Sequence, residues 1–232
     1  MSIFRASESY NLIGRKRGDK TQLSDSGKKY VRAKWLEHEK NFRIPVVSKQ
    51  LTKGIVQEDV AIRMYGELIG VRDMKKNDDS CEIEDLQISG TCDVINGDTI
   101  IDIKCPYLLS GFMEANLSKQ YEWQLRAYMM LYDKPKAQLV YVMTDMPDEI
   151  MEDEWRRYCW NGGIVDDSTP EAMAEYDRLS KMLNPSINPT VSFKERFRVY
   201  DIERSEDLEQ ELIYGLKIAM EYYEGISLTM QI

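Results

Sequence analysis

The segment from Gly90 to Pro106 constrains the fold of this chain more than any other part of the sequence; it runs GTCDVINGDTIIDIKCP. Two β-prone runs flank Asn96-Gly97. An Asn-Gly pair between apolar runs is the strongest short signal for a β-hairpin, because both residue types tolerate the positive φ angles of a type I′ turn. The pattern therefore predicts a hairpin with strands over residues 91–95 and 99–104.

The second predicted strand has an unusual mixture of apolar and charged side chains. Because side chains alternate along a strand, Ile101, Ile103 and Cys105 should share one face, and Asp102 and Lys104 the other. A carboxylate and an ammonium are costly to bury without partners. The strand is therefore a candidate for a functional site.

Asp93, on the neighbouring predicted strand, adds a second carboxylate beside Asp102. Carboxylate oxygens suit hard cations such as Mg²⁺ or Mn²⁺, which polarise phosphoryl oxygens and lower the pKa of a bound water. Lys104 would then orient that water or stabilise charge on a phosphate. The alternative is a surface ion pair on an edge strand, which the apolar character of the strand disfavours.

Three further residues are weaker candidates. Gln124 and Tyr128 lie four apart on a predicted helix and should share a face, where they would reach the site or simply belong to the core. Glu58 lies on another predicted helix, and its apolar neighbours Ala61 and Ile62 suggest that it points inward and completes a metal cluster. A glutamate near a helix start can also just favour the helix dipole.

Composition excludes several classes of protein. No run approaches 18 apolar residues, which argues against a membrane span, and the first residues lack the apolar core of a secretory signal. The four cysteines contain no Cys-x-x-Cys pair, so we expect reduced thiols in a cytoplasmic protein. His38 is the only histidine, so a histidine-based triad has little support, and the chain lacks a P-loop.

Charge is distributed unevenly along the chain. Residues 1–54 hold 13 basic and 5 acidic residues, whereas the remainder holds 18 basic and 35 acidic ones, for a net charge of −9 overall. A basic segment on an acidic body permits local contact with phosphate groups. A solvated basic surface is the alternative.

The order of predicted elements indicates an α/β (α+β) fold with a central mixed β-sheet flanked by helices, in one domain over residues 1–232. Residues 1–20 are predicted to be a flexible start and residues 75–80 a polar loop. An acidic, largely helical insertion is predicted over residues 145–193. Helices are predicted over residues 27–39, 56–69, 119–132 and 206–224, and further strands over residues 84–89, 138–144 and 197–202.

Taken together, these residues resemble the PD-(D/E)XK nuclease superfamily, and more narrowly the phage lambda-type exonucleases of its YqaJ-like and RecB-like branch. Cys92-Asp93 stands at the variable "PD" position, with cysteine in place of proline. The other matching segments are Asp102-Ile103-Lys104, the Lys-Cys-Pro of residues 104–106, the helix segment Gly54–Glu58, the Gln-x-x-x-Tyr motif of Gln124 and Tyr128, and the strand of residues 198–204.

The resemblance implies a restriction-endonuclease-like core and assigns roles to the matching residues. Asp93, Asp102 and the main-chain carbonyl of Ile103 would coordinate one or two Mg²⁺ or Mn²⁺ ions, and Glu58 would assist. Lys104 would activate or orient the attacking water, and Gln124 and Tyr128 would hold the site or the DNA. Near the N-terminus, Ser24, Ser26 and Lys28 lie in the segment that would grip a terminal 5′-phosphate.

The expected activity is metal-dependent exonuclease digestion of linear double-stranded DNA ends in phage-type recombination. The expected direction is 5′-to-3′, and the expected location is the cytoplasm of a bacterial or phage-infected cell. A single-strand annealing protein is the expected partner, and a homo-oligomer is considered, although the acidic insertion casts doubt on a ring-shaped trimer. The alternatives are an endonuclease of the same fold and a catalytically silent DNA-binding or assembly module.

Overall fold

The computed structural model describes residues 2–43, 45 and 47–229. The α-helices of this part are α1 (Asp25–Glu39), α2 (Lys49–Ile69), α3 (Leu109–Met113), α4 (Lys119–Leu131), α5 (Asp148–Gly162), α6 (Pro170–Leu183) and α7 (Glu206–Thr229). The strands are β1 (Phe4–Arg5), β2 (Arg15–Lys16), β3 (Asp19–Leu23), β4 (Cys81–Ile83), β5 (Ile88–Gly90), β6 (Val94–Asn96), β7 (Thr99–Lys104), β8 (Lys136–Val142) and β9 (Phe197–Glu203).

A four-stranded sheet in the order β6-β7-β8-β9 forms the centre of the fold. Strand β7 pairs antiparallel with β6 and parallel with β8, and β9 pairs antiparallel with β8. The parallel β7-β8 pair requires a crossover, which contains α4. The predicted mixed sheet with flanking helices is confirmed.

The two faces of this sheet pack against different helices. Ile101 and Ile103 of β7 lie in a core with Ala61, Ile62 and Tyr65 of α2. The opposite face belongs to a larger core, and its members include Ile100 and Leu139 from the sheet, Leu125 and Met129 from α4, and Leu212 and Leu216 from α7. Because alternation along β7 sends Ile101 and Ile103 to α2, it directs Asp102 and Lys104 toward α4, as predicted.

The hairpin turn differs from the prediction. Asn96 pairs with Thr99, so the two-residue turn is Gly97-Asp98 rather than Asn96-Gly97. Only the glycine of this turn has a positive φ, of 61°. A positive φ confined to the first turn residue is the type II′ pattern, which needs glycine there, whereas type I′ needs positive φ at both positions.

The prediction of a flexible start over residues 1–20 was wrong. Phe4 in β1 pairs in parallel with Ile88 of β5, and a 3-10 helix follows over Ala6–Leu12. Phe4, Ala6 and Leu12 are fully buried, because this segment packs against α4 and fills the larger core.

Several predicted boundaries shift. Helix α2 begins at Lys49 rather than Val56, with Ser48 capping its N-terminus, and α7 continues to Thr229. The predicted strand over 84–89 is instead a short 3-10 helix, Glu84–Leu86, followed by the start of β5 at Ile88. The helical character of residues 145–193 is confirmed by α5 and α6, and its status as an insertion stays a prediction.

The structure also describes the cysteines and the length and hydropathy of the helices. All four cysteines are free thiols, as expected. Within the described ranges, no helix combines the length and the apolar character needed to cross a membrane.

Gly90 provides a stability test of the packing beneath the site. A Cβ atom there would lie 2.7 Å from Ala6 Cβ and 2.9 Å from Tyr128 Cε1, both closer than van der Waals contact. Because overpacking a tight core typically costs about 1–3 kcal/mol, we expect Gly90→Ala to lower the free energy of unfolding by that amount in urea denaturation. Gly111→Ala, where nothing lies within 4 Å, is the matched control. Equal stability of the two variants would contradict this packing.

Candidate active site

Asp93 occupies the point at which strand β6 stops pairing with β7. The last residue pair of this ladder toward the site is Val94 with Ile101. Beyond it, Asp93 replaces the missing strand partner, since its Oδ2 accepts a hydrogen bond of 2.6 Å from the backbone N–H of Ile103. The end of β6 thus directs the Asp93 carboxylate toward the edge of β7.

The same edge exposes a backbone carbonyl. The N–H and C=O of a strand residue point to the same side, so the Ile103 carbonyl faces the gap that Asp93 borders. Ile103 also lines the open cleft described below. The placement is compatible with the predicted role of this carbonyl.

Asp102 is the buried member of the site, with 1% of its surface exposed. Its Oδ1 accepts a 2.8 Å hydrogen bond from Gln124 Nε2. Its Oδ2 lies 2.5 Å from Lys104 Nζ but makes no hydrogen bond of regular geometry. The Lys104 ammonium thus faces the charges of two carboxylates, those of Asp102 and Asp93.

Helix α4 supports the site from the other side. Gln124 and Tyr128 share a face as predicted, and Gln124 Nε2 lies 3.4 Å from the Tyr128 hydroxyl. Both side chains are buried, so they contact Asp102 and the core rather than the surface. Of the two predicted roles, the geometry favours holding the site over holding DNA.

Lys104 carries its ammonium between the two aspartates and an aromatic ring. Its Nζ lies 2.5 Å from Asp102 Oδ2 and 5.2 Å from the centre of the Tyr121 ring. Burial alone would lower the pKa of Lys104, but the charges of Asp102 and Asp93 outweigh it and raise the pKa above the ordinary value. Lys104 is therefore protonated at neutral pH and acts as a hydrogen-bond donor.

The surroundings of Asp93 disfavour its ionised form. Burial, and then the neighbouring charge of Asp102, raise the pKa of Asp93 from 3.8 to about 8, although Lys104 and the Ile103 N–H oppose this. Two carboxylates that share a site cannot both ionise easily without a compensating cation. This is the electrostatic setting of a cation site.

Glu58 is paired with a lysine. Its Oε2 accepts a 2.8 Å hydrogen bond from Lys76 Nζ, in the loop after α2. Accordingly, across residues 2–43, 45 and 47–229, no three His, Cys, Asp or Glu side chains are arranged to hold a metal ion. In this structure the Glu58 carboxylate pairs with Lys76, and its part in a metal cluster stays a prediction.

Glu58, Asp93 and Lys104 nevertheless line one open cleft of about 610 Å³, together with Ile103, Tyr107, Tyr121 and Tyr141. Ser24, Ser26 and Lys28 lie elsewhere. Ser24 caps α1 and contacts the Ser26 hydroxyl, while Lys28 donates to Gln22 Oε1. The structure does not bring these three residues to the cleft.

Sequence reasoning missed Asn77 and Tyr121. The Asn77 backbone N–H donates to the Asp93 carbonyl at 2.7 Å, and its Nδ2 donates to the Cys92 carbonyl at 3.2 Å. Asn77 thereby fixes the peptide that presents Asp93, and a polar loop gives no local signal for this role. Tyr121 precedes Gln124 by three residues, so helical spacing would have placed it on the same face.

The donor set fits a hard divalent cation in part. Asp93, Asp102 and the Ile103 carbonyl offer oxygen ligands, which Mg²⁺ and Mn²⁺ prefer. One ammonium for two carboxylates, together with the raised pKa of Asp93, favours the binding of added positive charge. Glu58 would have to leave Lys76 before it could join them.

No protein-family model matches the chain, and no curated protein matches it. Three solved structures have a similar fold. A phage-related exonuclease from Haemophilus somnus 129PT superposes with a TM-score of 0.75 at 22% identity, covering 98% of this chain and 96% of that one. The alkaline exonuclease LHK-Exo from Laribacter hongkongensis gives a TM-score of 0.63 at 12% identity, covering 98% of this chain and 91% of that one. LHK-Exo in complex with dAMP gives 0.62 at 14% identity. The chain thus has the fold of these exonucleases.

Proposed function

We propose that this chain is a divalent-metal-dependent DNA exonuclease that resects linear double-stranded DNA ends by phosphodiester hydrolysis. The proposal rests on the position of Asp93, Asp102 and Lys104, which lie together at one strand end. Two carboxylates there share one ammonium, and the pKa of Asp93 is raised. The fold shared with phage-related and alkaline exonucleases supports the proposal, as does the dAMP complex of one of those structures.

In this proposal each residue has a defined task. Asp93 and Asp102, with the Ile103 carbonyl, would hold one or two Mg²⁺ or Mn²⁺ ions, which would lower the pKa of a water and polarise the phosphate. The protonated Lys104 donates to the attacking water or to a phosphate oxygen, where negative charge develops. Gln124 keeps Asp102 oriented, and Tyr128 supports Gln124.

The wider role rests on the sequence resemblance. We propose 5′-to-3′ resection in phage-type recombination, in the cytoplasm of a bacterial or phage-infected cell, with a single-strand annealing protein as partner and self-association as a homo-oligomer. Ser24, Ser26 and Lys28 remain proposed DNA-binding residues. Because they lie outside the cleft, they would contact DNA at a distance from the cut bond.

The activity is tested on matched linear and covalently closed circular duplexes, with label at each 5′ end of the linear form. With Mg²⁺, we expect stepwise loss of the linear duplex from the 5′ end, no digestion of the circle and no activity after chelation. Asp102→Asn should be inactive, whereas Asp98→Asn, an exposed acid in the same hairpin, should be active.

Each other outcome identifies an alternative. Cleavage of the closed circle would favour an endonuclease of the same fold. Binding of DNA without digestion under Mg²⁺ or Mn²⁺ would favour a silent binding module. Digestion that resists chelation, or that survives Asp102→Asn, would overturn the assignment of the site.

A further inference from the structure

Lys76 is a cation at the rim of the cleft that the sequence motifs do not include. Its Nζ lies 2.8 Å from Glu58 Oε2, and the two side chains are 42% and 20% exposed. The pair joins the middle of α2 to the polar loop of residues 75–80. Lys76 thus pairs with Glu58, whereas the other two acids near the site, Asp93 and Asp102, lie beside Lys104.

The backbone that carries Lys76 is fixed, although its side chain is exposed. The next residue, Asn77, donates from its backbone to the Asp93 carbonyl and from its side chain to the Cys92 carbonyl. Any movement of Lys76 is therefore a rotation of its flexible four-carbon side chain beside Asp93.

The ion pair with Glu58 is easily exchanged. Pairs this exposed contribute little to stability, because water screens them and both side chains lose freedom. A divalent cation between Asp93 and Asp102 would repel the ammonium and attract Glu58. Cation binding and the Lys76–Glu58 pair therefore compete for the same carboxylate.

A groove of about 940 Å³ begins at Lys76 and follows α2. It carries Lys76 and three further cations, Arg63, Arg72 and Lys75, and four acidic side chains balance these four. Lys76 stands between this groove and the cleft, since its partner Glu58 lines the cleft. It is the cation of this groove whose ion-pair partner lines the cleft.

Resting on the proposed function, we propose that Lys76 exchanges partners. Its ammonium holds Glu58 while the acids lack a cation, and it binds a backbone phosphate of the DNA once the cation has taken Glu58. Lys76 thereby couples the binding of the cation to the binding of the substrate.

Calorimetric titration of Mn²⁺ into the DNA-free protein tests the first half. Lys76→Met removes the competing ammonium, so we expect the Kd for Mn²⁺ to fall about two- to fivefold. Lys217→Met, an exposed lysine on α7, should leave it unchanged. An unchanged or weaker affinity in Lys76→Met overturns the inference.

The second half is tested with a short duplex whose terminal linkages are phosphorothioates that resist hydrolysis. With Mn²⁺, Lys76→Met should bind this duplex more weakly and lower the slope of log K against log salt by about 0.9, the contribution of one phosphate contact. With chelator, its affinity should equal that of the wild type. A loss that is equal with and without Mn²⁺, or no loss in either, overturns the exchange.

These outcomes are distinct from failure of the proposed function. If the wild-type protein digests linear DNA with Mn²⁺ but Lys76→Met shows neither change, only the exchange is wrong. If the wild-type protein neither binds Mn²⁺ nor digests DNA, both are wrong.

Discussion

Lys104→Met is expected to reduce the rate of DNA digestion by about 10²–10⁴-fold, the usual contribution of a positioned proton-donating or charge-stabilising group. Lys104 is the cation in direct contact with Asp102, and its pKa is raised, so it donates in its charged form. Methionine keeps much of the length of the side chain but removes the charge and all three donors.

The control is Lys136→Met, on the adjacent strand at the opposite end of the sheet. Lys136 is 56% exposed and pairs with Asp98, so its loss should leave the rate within about twofold. Circular dichroism establishes that both variants are folded at the assay temperature. Near wild-type digestion by folded Lys104→Met would show that the chemistry takes place elsewhere.

The stability of the cation-free protein is expected to fall as pH rises between about 5.5 and 7.5. The pKa of Asp93 is raised from 3.8 to about 8, so over this range the folded state holds a proton that the unfolded state has released. The free energy of unfolding then decreases with pH, with a limiting slope of about 1.4 kcal/mol per pH unit. Urea denaturation in chelator measures this slope.

Asp93→Asn should remove most of the slope, because asparagine does not titrate. Asp98→Asn should keep it, since the pKa of Asp98 is lowered by Thr99 and Lys136 and its contribution changes only in acid. Saturating Mg²⁺ should flatten or reverse the decline, because a cation favours the ionised carboxylates. A wild-type slope of zero in chelator would contradict the charge deficit at Asp93.

The sequence was most informative where a local pattern determines geometry. Period-two alternation placed Asp102 and Lys104 on the face opposite Ile101 and Ile103, and helical spacing placed Gln124 beside Tyr128. These relations depend only on the repeat of a strand or a helix. They hold whatever the rest of the chain does.

Tertiary contacts decided the features that sequence reasoning missed. Phe4 belongs to the core because β1 adds to β5, a partner more than 80 residues away. Glu58 turns to Lys76 because the loop after α2 folds back over the helix, and Asn77 reaches Asp93 for the same reason. No repeat or motif within a short window encodes such contacts.

The position of the cation tests the account most directly. In crystals of the protein soaked with Mn²⁺, anomalous diffraction should show a peak within about 2.5 Å of carboxylate oxygens of both Asp93 and Asp102, with Glu58 turned away from Lys76. A protein that digests DNA but whose Mn²⁺ peak lies away from these two aspartates would contradict the account.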